Sequence, residues 1–421
     1  MTSAHDGSLL LDCLGIRVNG AAHARPPVLT RQDAAEVVRQ AVDNGVVPLL
    51  YHRLTTLAPA PLLPPAAIAY LRDVAFHSAA RSLEISRGVA EVLEVLRRHD
   101  VPVIVLKGAH LGPLVYRNAA LRTMGDVDVM VRRDHLARAE ALLVQLGYRP
   151  VHDPLQHVDY ARHHHTRPLG KPGGMRVDVH WNIARPTAPF DVDLEEVWVR
   201  AVPARIAGVE ARVLSVEDLL LHLCLHASFD HKFRLGLRAC WDILEVVAHQ
   251  GDAIVWDEVV RRAERWGIGR YVYVTLRLVR ELLAADVPLT AIERLEPSDF
   301  TPQLLGWART SIFAAAAETS LSPSVATLWT SGRLSAKLAV LRRTLVPPRP
   351  AMARIYRTPA DSRRLYLYYP LRWVGLVKRY GHRAWGLLRG DRRTYEELRA
   401  VSERAALGEW LRRRATSSAP S

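Results

Sequence analysis

Residues Val101 to Val131, VPVIVLKGAHLGPLVYRNAALRTMGDVDVMV, constrain the fold more than any other stretch, because strand, turn and helix patterning succeed one another within it. The run Val103-Ile104-Val105-Leu106 is β-branched and apolar, as a buried strand requires. It stops at Lys107-Gly108, where glycine lets the backbone come close to a ligand. A short helix is expected through Leu111 to Leu121. The second strand, Asp126 to Val131, alternates, so Asp126 and Asp128 share one face while Val127 and Val129 fill the other. Two carboxylates held side by side suit a shared divalent cation or a pair of them, since a hard cation wants several oxygen ligands and offsets their repulsion.

An Asp-x-Asp pair is weak evidence when it stands alone, and a second one occurs at Asp191 and Asp193. That pair precedes Leu194-Glu195-Glu196-Val197-Trp198, a helix start, so helix capping is its expected work. The pair at Asp126 and Asp128 differs in opening an apolar strand that follows a Lys-Gly turn. A third acid, Asp178, lies on another alternating run, Met175 to Trp181, so two strands can present three carboxylates to one point.

The runs LKGAHLGPLVYRNAALRTMGDVDVMV, DHLARAEALLVQLGYRP and VDVHW together resemble a poorly characterised nucleotidyltransferase-like family of the polymerase-beta-type nucleotidyltransferase superfamily. VVPLLYHRL upstream and LSVEDLLLHLCLHASFDHKFRLGLRACWDILEVV downstream extend the resemblance to about residues 30 to 250. It implies an α+β fold: a nucleotidyltransferase core with a small mixed β-sheet flanked by helices, plus helical N- and C-terminal regions. It also implies transfer of a nucleoside monophosphate from an NTP, with ATP the expected donor, to an acceptor hydroxyl on a small molecule, peptide or protein. Mg²⁺ or Mn²⁺ would be held by Asp126, Asp128 and Asp178, with Asp178 also the general base. The superfamily's usual Gly-Ser turn is replaced here by Lys107-Gly108, so an ammonium and a backbone amide stand where a serine hydroxyl would contact phosphate. Arg122, four residues before the first acid, either contacts the triphosphate or pairs with a nearby acid. His180 shares the face of Asp178 and either orients that acid, touches a phosphate or makes a structural hydrogen bond.

Three cysteines, Cys13, Cys224 and Cys240, are too few for a disulfide framework and form neither a CxxC nor a zinc pattern, which points to a reducing compartment. The N-terminus lacks a basic region ahead of its short apolar run, and no apolar stretch approaches membrane-spanning length. A cytoplasmic location is the expectation. From Arg333 onward the chain carries 21 arginines and lysines against 6 acids, an excess of 15 beside a whole-chain charge of +14. The region before it is nearly neutral. This basic end, interleaved with Tyr366, Tyr368, Tyr369, Trp373, Tyr380 and Trp385, is either a solvated helical face or a contact for a polyanion such as nucleic acid or an anionic membrane surface.

The expected organisation is a helical region over residues 1–100, the α/β core over 101–214, a helical domain over 215–346, and a basic helical region over 347–421 with a disordered end. A long helix runs from about Ala66 to Arg98 into the first strand. Asp134 stands as the cap of a helix over His135 to Leu146, and Ser215 as the cap of one over Val216 to Ser228. The consecutive histidines His163, His164 and His165 read as a strand beside the site; alternation would let at most two of them share a ligand. Lys171-Pro172-Gly173-Gly174 makes a hairpin turn to the Asp178 strand. His222 and His226 share a helix face at metal-ligand spacing, but without a Glu-x-x-His context a packed core role is the expectation. Pro347-Pro348-Arg349-Pro350 reads as a linker. Alternatives to the transferase are a non-catalytic nucleic-acid or partner-binding protein on the same fold, and another phosphoryl transfer at the same site.

Overall fold

The computed structural model describes residues 7–15, 29–56, 63–151, 160, 163–172, 174–313, 335, 338, 342 and 344–413 apart from 357, 360 and 390. Its centre is a mixed sheet of 7 strands: β1 (Val103–Val105), β2 (Asp126–Val131), β3 (Arg149–Pro150), β4 (Leu169–Gly170), β5 (Arg176–His180), β6 (Val202–Ile206) and β7 (Val209–Val213). Their spatial order is β3-β4-β5-β2-β1-β7-β6. β1 runs antiparallel to β2 and parallel to β7, while β2 and β5 run parallel. The α+β reading and the mixed sheet hold.

Alternation decides which layer each face meets. Val103, Val105, Val127, Val129, Val131, Val177 and Val179 pack with the long helix Pro65–Arg98 and the helix Leu136–Gln145 in one core. Ile104 and Met130 face the other way, into a larger core made by the N-terminal helices and those that follow β7. That second face carries the candidate site.

Several local expectations are corrected. The helix after β1 covers Lys107–Leu114, not Leu111 to Leu121, so Lys107 and Gly108 form its first turn. It ends with the Val115 amide on the Leu111 carbonyl at 2.9 Å, and past a left-handed Arg117, φ 54°, the Asn118 side chain accepts from the Ala120 amide to start a separate 3-10 turn, Ala119–Leu121. Asp134 makes no cap bond; a 3-10 turn, Arg133–His135, leads into the next helix instead. Asp193 and Ser215 do cap, accepting from the Glu196 and Asp218 amides at 3.1 and 3.3 Å. The hairpin joining β4 to β5 is present, closed by the Gly174 amide on the Lys171 carbonyl at 3.0 Å.

The prolines at 347–350 do not separate a detached tail. A helix begins at Arg349, the Tyr369 hydroxyl donates to the Pro347 carbonyl at 2.7 Å, and the Trp373 indole N–H donates to Leu345 at 2.8 Å. The last helix, Arg392–Arg412, returns to the main core, where Leu407, Trp410 and Leu411 are buried. Trp410 meets the Phe300 ring edge-on, and the Arg270 guanidinium lies 4.7 Å from its centroid. The expected disordered end from Thr416 lies outside the described residues.

One buried charge cluster fastens the sheet to the helical layer. Arg122 donates through Nε and Nη2 to the two oxygens of Asp242, both at 2.8 Å, and the Tyr116 hydroxyl donates to Asp242 Oδ1 at 2.8 Å. Burial would lower the pKa of Arg122, but Asp242 reverses this and holds it above the usual arginine value. Gly108 lies against this cluster: a Cβ there would stand 2.5 Å from Arg122 Nη1. Asp242→Asn leaves a buried guanidinium without its counter-charge and is expected to cost about 3–5 kcal/mol, read from the urea unfolding midpoint. Trp410→Ala is expected to cost about 3–5 kcal/mol by the same measurement, as removal of a buried indole from a packed core should. A loss within experimental error would mean the last helix adds nothing to the core.

Candidate active site

Parallel pairing of β2 with β5 sets Asp126 opposite Arg176, Asp128 opposite Asp178, and Met130 opposite His180. Because residues in register on adjacent strands project to the same face, one patch of sheet holds three carboxylates, a guanidinium and an imidazole. They line a cavity of about 500 Å³ together with Lys107, Gly108 and Arg122. Asp191 and Asp193 are not part of its wall.

Asp128 is the buried centre of this patch. Lys107 Nζ donates to its Oδ1 at 2.8 Å, and His180 Nε2 reaches the same oxygen at 2.7 Å. Burial would raise the pKa of this carboxyl; Lys107 and His180 overcome that and hold it well below the ordinary value. Burial likewise would lower the pKa of Lys107, but Asp128 leaves it above the usual lysine value, so both partners are charged. Burial keeps His180 below its ordinary pKa, so a neutral ring donates Nε2–H to the carboxylate. Both bonds fall on Oδ1, leaving Oδ2 as the oxygen for a ligand. Lys107 delivers its ammonium from a left-handed backbone, φ 40°, which a non-glycine residue holds at a cost and which is concentrated at functional sites.

Asp178 behaves oppositely. Its Oδ1 is buried without a hydrogen-bond partner, and burial together with the neighbouring Asp128 charge pushes its pKa up to about 7. Asp126, more exposed, is bonded by Arg176, whose Nε also lies 3.7 Å from Asp178 Oδ1. The three acids thus line one cavity, with an arginine occupying part of the space between them.

Arg122 touches the cavity but is committed to Asp242. The three consecutive histidines do not form the expected strand. Only His165 makes an isolated bridge, to His180, and the three rings crowd together, with one ligand atom from each lying within 4.8 Å of the others. Burial lowers the pKa of His163 to about 4 and of His165 to about 3. Of the helical pair, His226 lines the cavity whereas His222 is buried away from it, their centroids 6.3 Å apart.

The helical layer also supplies residues that sequence patterning missed. The helix Val216–Leu225 continues as a π-helical turn, His226–Asp230, and this turn brings His226, Asp230 and His231 to the cavity opposite the sheet. Such turns are rare and favour functional sites. Asp230 is pushed up to about 6 by burial, against the pull of Lys107. Arg185 and Arg238 add positive charge to the wall. Arg176 was legible, two residues before Asp178 on the same strand face; the π turn left no comparable signal.

The pattern of the uncharacterised nucleotidyltransferase family matches residues 30–284. The chain belongs to that family. No curated protein matches it. A solved structure, the solution structure of the antibiotic-resistance factor ANT(2'')-Ia, is similar at 16% identity, covering 42% of this chain and 89% of that one, with a TM-score of 0.31. Membership of a nucleotidyltransferase family accords with a cavity in which carboxylates and cationic side chains meet.

A pH consequence follows for this nucleotidyltransferase. With its folded value at about 7, Asp178 holds its proton at pH 6, and this protonation favours the folded state. Its contribution to stability is complete below the ordinary carboxylate range, about pH 4, and is lost as the pH rises through the folded value. A divalent cation bound against Asp178 must expel that proton. Adding Mg²⁺ at pH 6 in weak buffer is expected to release about one proton per protein, and Asp178→Asn to abolish the release. Equal release by both proteins would separate Asp178 from cation binding.

Proposed function

We propose that this protein transfers a nucleoside monophosphate from an NTP, with ATP the expected donor, to an acceptor hydroxyl, releasing pyrophosphate. The observation that carries the reading is the β2–β5 register, which pairs Asp128 with Asp178 and sets Asp126 beside them on the wall of one cavity that Lys107 also enters.

The donor set fits a hard divalent cation: three carboxylates, one of them, Asp178, with an orphaned buried oxygen and a pKa raised by burial and by the Asp128 charge. Asp126, Asp128 and Asp178 would hold Mg²⁺ or Mn²⁺. When bound, such ions neutralise phosphate charge and lower the pKa of an acceptor hydroxyl. Arg176, with its side chain 45% exposed, has room to leave Asp126 and turn to a phosphate.

The remaining work falls to the chain. Lys107 and the Gly108 amide stabilise negative charge on the leaving pyrophosphate, and Arg185 and Arg238 extend that field along the cavity wall. His180 holds Asp128 in one orientation through its 2.7 Å bond. Once ionised, Asp178 takes the proton of the acceptor hydroxyl as the hydroxyl oxygen bonds to the α-phosphorus and the bond from phosphorus to the bridging oxygen of the leaving pyrophosphate breaks. Asp230 and His231, on the opposite wall of the cavity, would meet the acceptor. The helix Leu365–Leu388 carries Arg372, Lys378, Arg379 and Arg383 and no acid, which supports a separate contact with a polyanionic surface.

The test incubates the protein with each NTP, Mg²⁺ or Mn²⁺ and a panel of hydroxyl acceptors, following pyrophosphate and mass-shifted product. Asp126→Asn and Asp128→Asn are expected to reduce turnover by about 10²-fold or more while circular dichroism stays unchanged. Lys107→Ala is expected to weaken NTP binding, measured by calorimetry. Unchanged turnover in both aspartate variants would reject the assignment. Binding to a polyanion without turnover on any acceptor would favour the binding-protein alternative.

A further inference from the structure

We infer that His163, His164 and His165 form a binding site for a borderline first-row divalent ion such as Zn²⁺, distinct from the carboxylate centre. Among the described residues these form the one group of three or more histidines, cysteines or acids whose ligand atoms all lie within 4.8 Å of one another. Zn–N bonds of about 2.1 Å place imidazole nitrogens roughly 3.4 Å apart around a tetrahedral ion, so side-chain adjustments of about 1 Å would close the set.

Two further observations point to a ligand. The Nδ1 atoms of His163 and His164 are buried and have no hydrogen-bond partner, a cost that coordination to the cluster would remove. His165 behaves differently: its Nδ1 lies 2.7 Å from the Thr166 carbonyl, to which it donates, so the lone pair is on Nε2. A ring N–H tied to a carbonyl is the usual partner arrangement for a zinc-bound histidine, because it fixes both tautomer and ring plane.

The backbone explains how three consecutive residues converge. The Trp181 amide donates to the His164 carbonyl at 3.0 Å, and the Thr166 amide donates to Val179 at 2.8 Å. These bonds pin the segment beside β5 without the regular alternation that would send neighbouring rings to opposite sides. Three imidazoles suit zinc-type ions over Mg²⁺, which prefers oxygen. They also leave a coordination position for water or an oxygen of a bound anion in the shared cavity.

Co²⁺ is the probe, because imidazole ligation in low coordination gives a visible absorption that an all-oxygen octahedral ion lacks. The full-length protein, without NTP, is titrated with Co²⁺ and then competed with Zn²⁺. One equivalent is expected to bind with strong visible absorption and to be displaced by Zn²⁺. Asp126→Asn/Asp128→Asn should retain this binding, and His163→Ala/His165→Ala should weaken it at least 100-fold with unchanged circular dichroism. Should the double variant not fold, His165→Gln, which keeps a polar tip and similar volume, serves for the same comparison. An all-oxygen spectrum in the wild type, or wild-type affinity in the folded histidine variant, overturns the site. Absence of nucleotidyl transfer would leave this result untouched, since no nucleotide takes part.

Discussion

The ionised state of Asp128 is the constraint on which the site depends. A carboxylate so deeply placed keeps its charge only because Lys107 and His180 meet the same oxygen. Lys107 can do so because β1 ends two residues before it, at Val105, and the chain turns through a left-handed conformation at Lys107. The first strand, its antiparallel pairing with β2 and the strained first residue of the helix therefore form one device. Its product is an asymmetry between two neighbours: Asp128 is charged and pinned, whereas burial and the Asp128 charge push the pKa of Asp178 up to about 7.

A second buried pairing holds the cavity walls together. Arg122 lies just ahead of β2, and Asp242 lies on the helix Leu237–Gln250, 120 residues further on. Their bidentate bond, shared with Tyr116, ties the helical layer to the end of the strand that carries the acids. Such a pair contributes less to net stability than to specificity of packing, since an alternative seating of the helices would leave a buried charge alone. Gly108 belongs to the same arrangement, being the residue over which the Arg122 guanidinium lies.

Much of the sheet was legible in the sequence because strand alternation is local. Asp126, Asp128 and Asp178 alternate with valines, so their common face follows from period two, and the parallel register puts Asp128 beside Asp178. The cap residues Asp193 and Ser215 were legible for the same reason, each acting within three residues. What escaped depends on distant partners or broken periodicity. The partner of Arg122 could not be chosen among many acids. The histidine run violated the alternation assumed for it, and the π turn placed Asp230 and His231 by adding one residue to a helical register. At the C-terminus, Leu407, Trp410 and Leu411 have the spacing of a buried helix stripe, but the surrounding arginines drew attention to charge instead.

Arg176 gives the acidic patch a resident counter-ion. Bonded to Asp126 and close to Asp178, it offsets like-charge repulsion that would otherwise push the carboxylates apart. On the proposed reading, cation binding at this patch would be an exchange, in which an internal positive charge leaves as an external one arrives. The affinity would then be the difference between two attractions, and an arriving ion would have to outcompete the Arg176 guanidinium for Asp126.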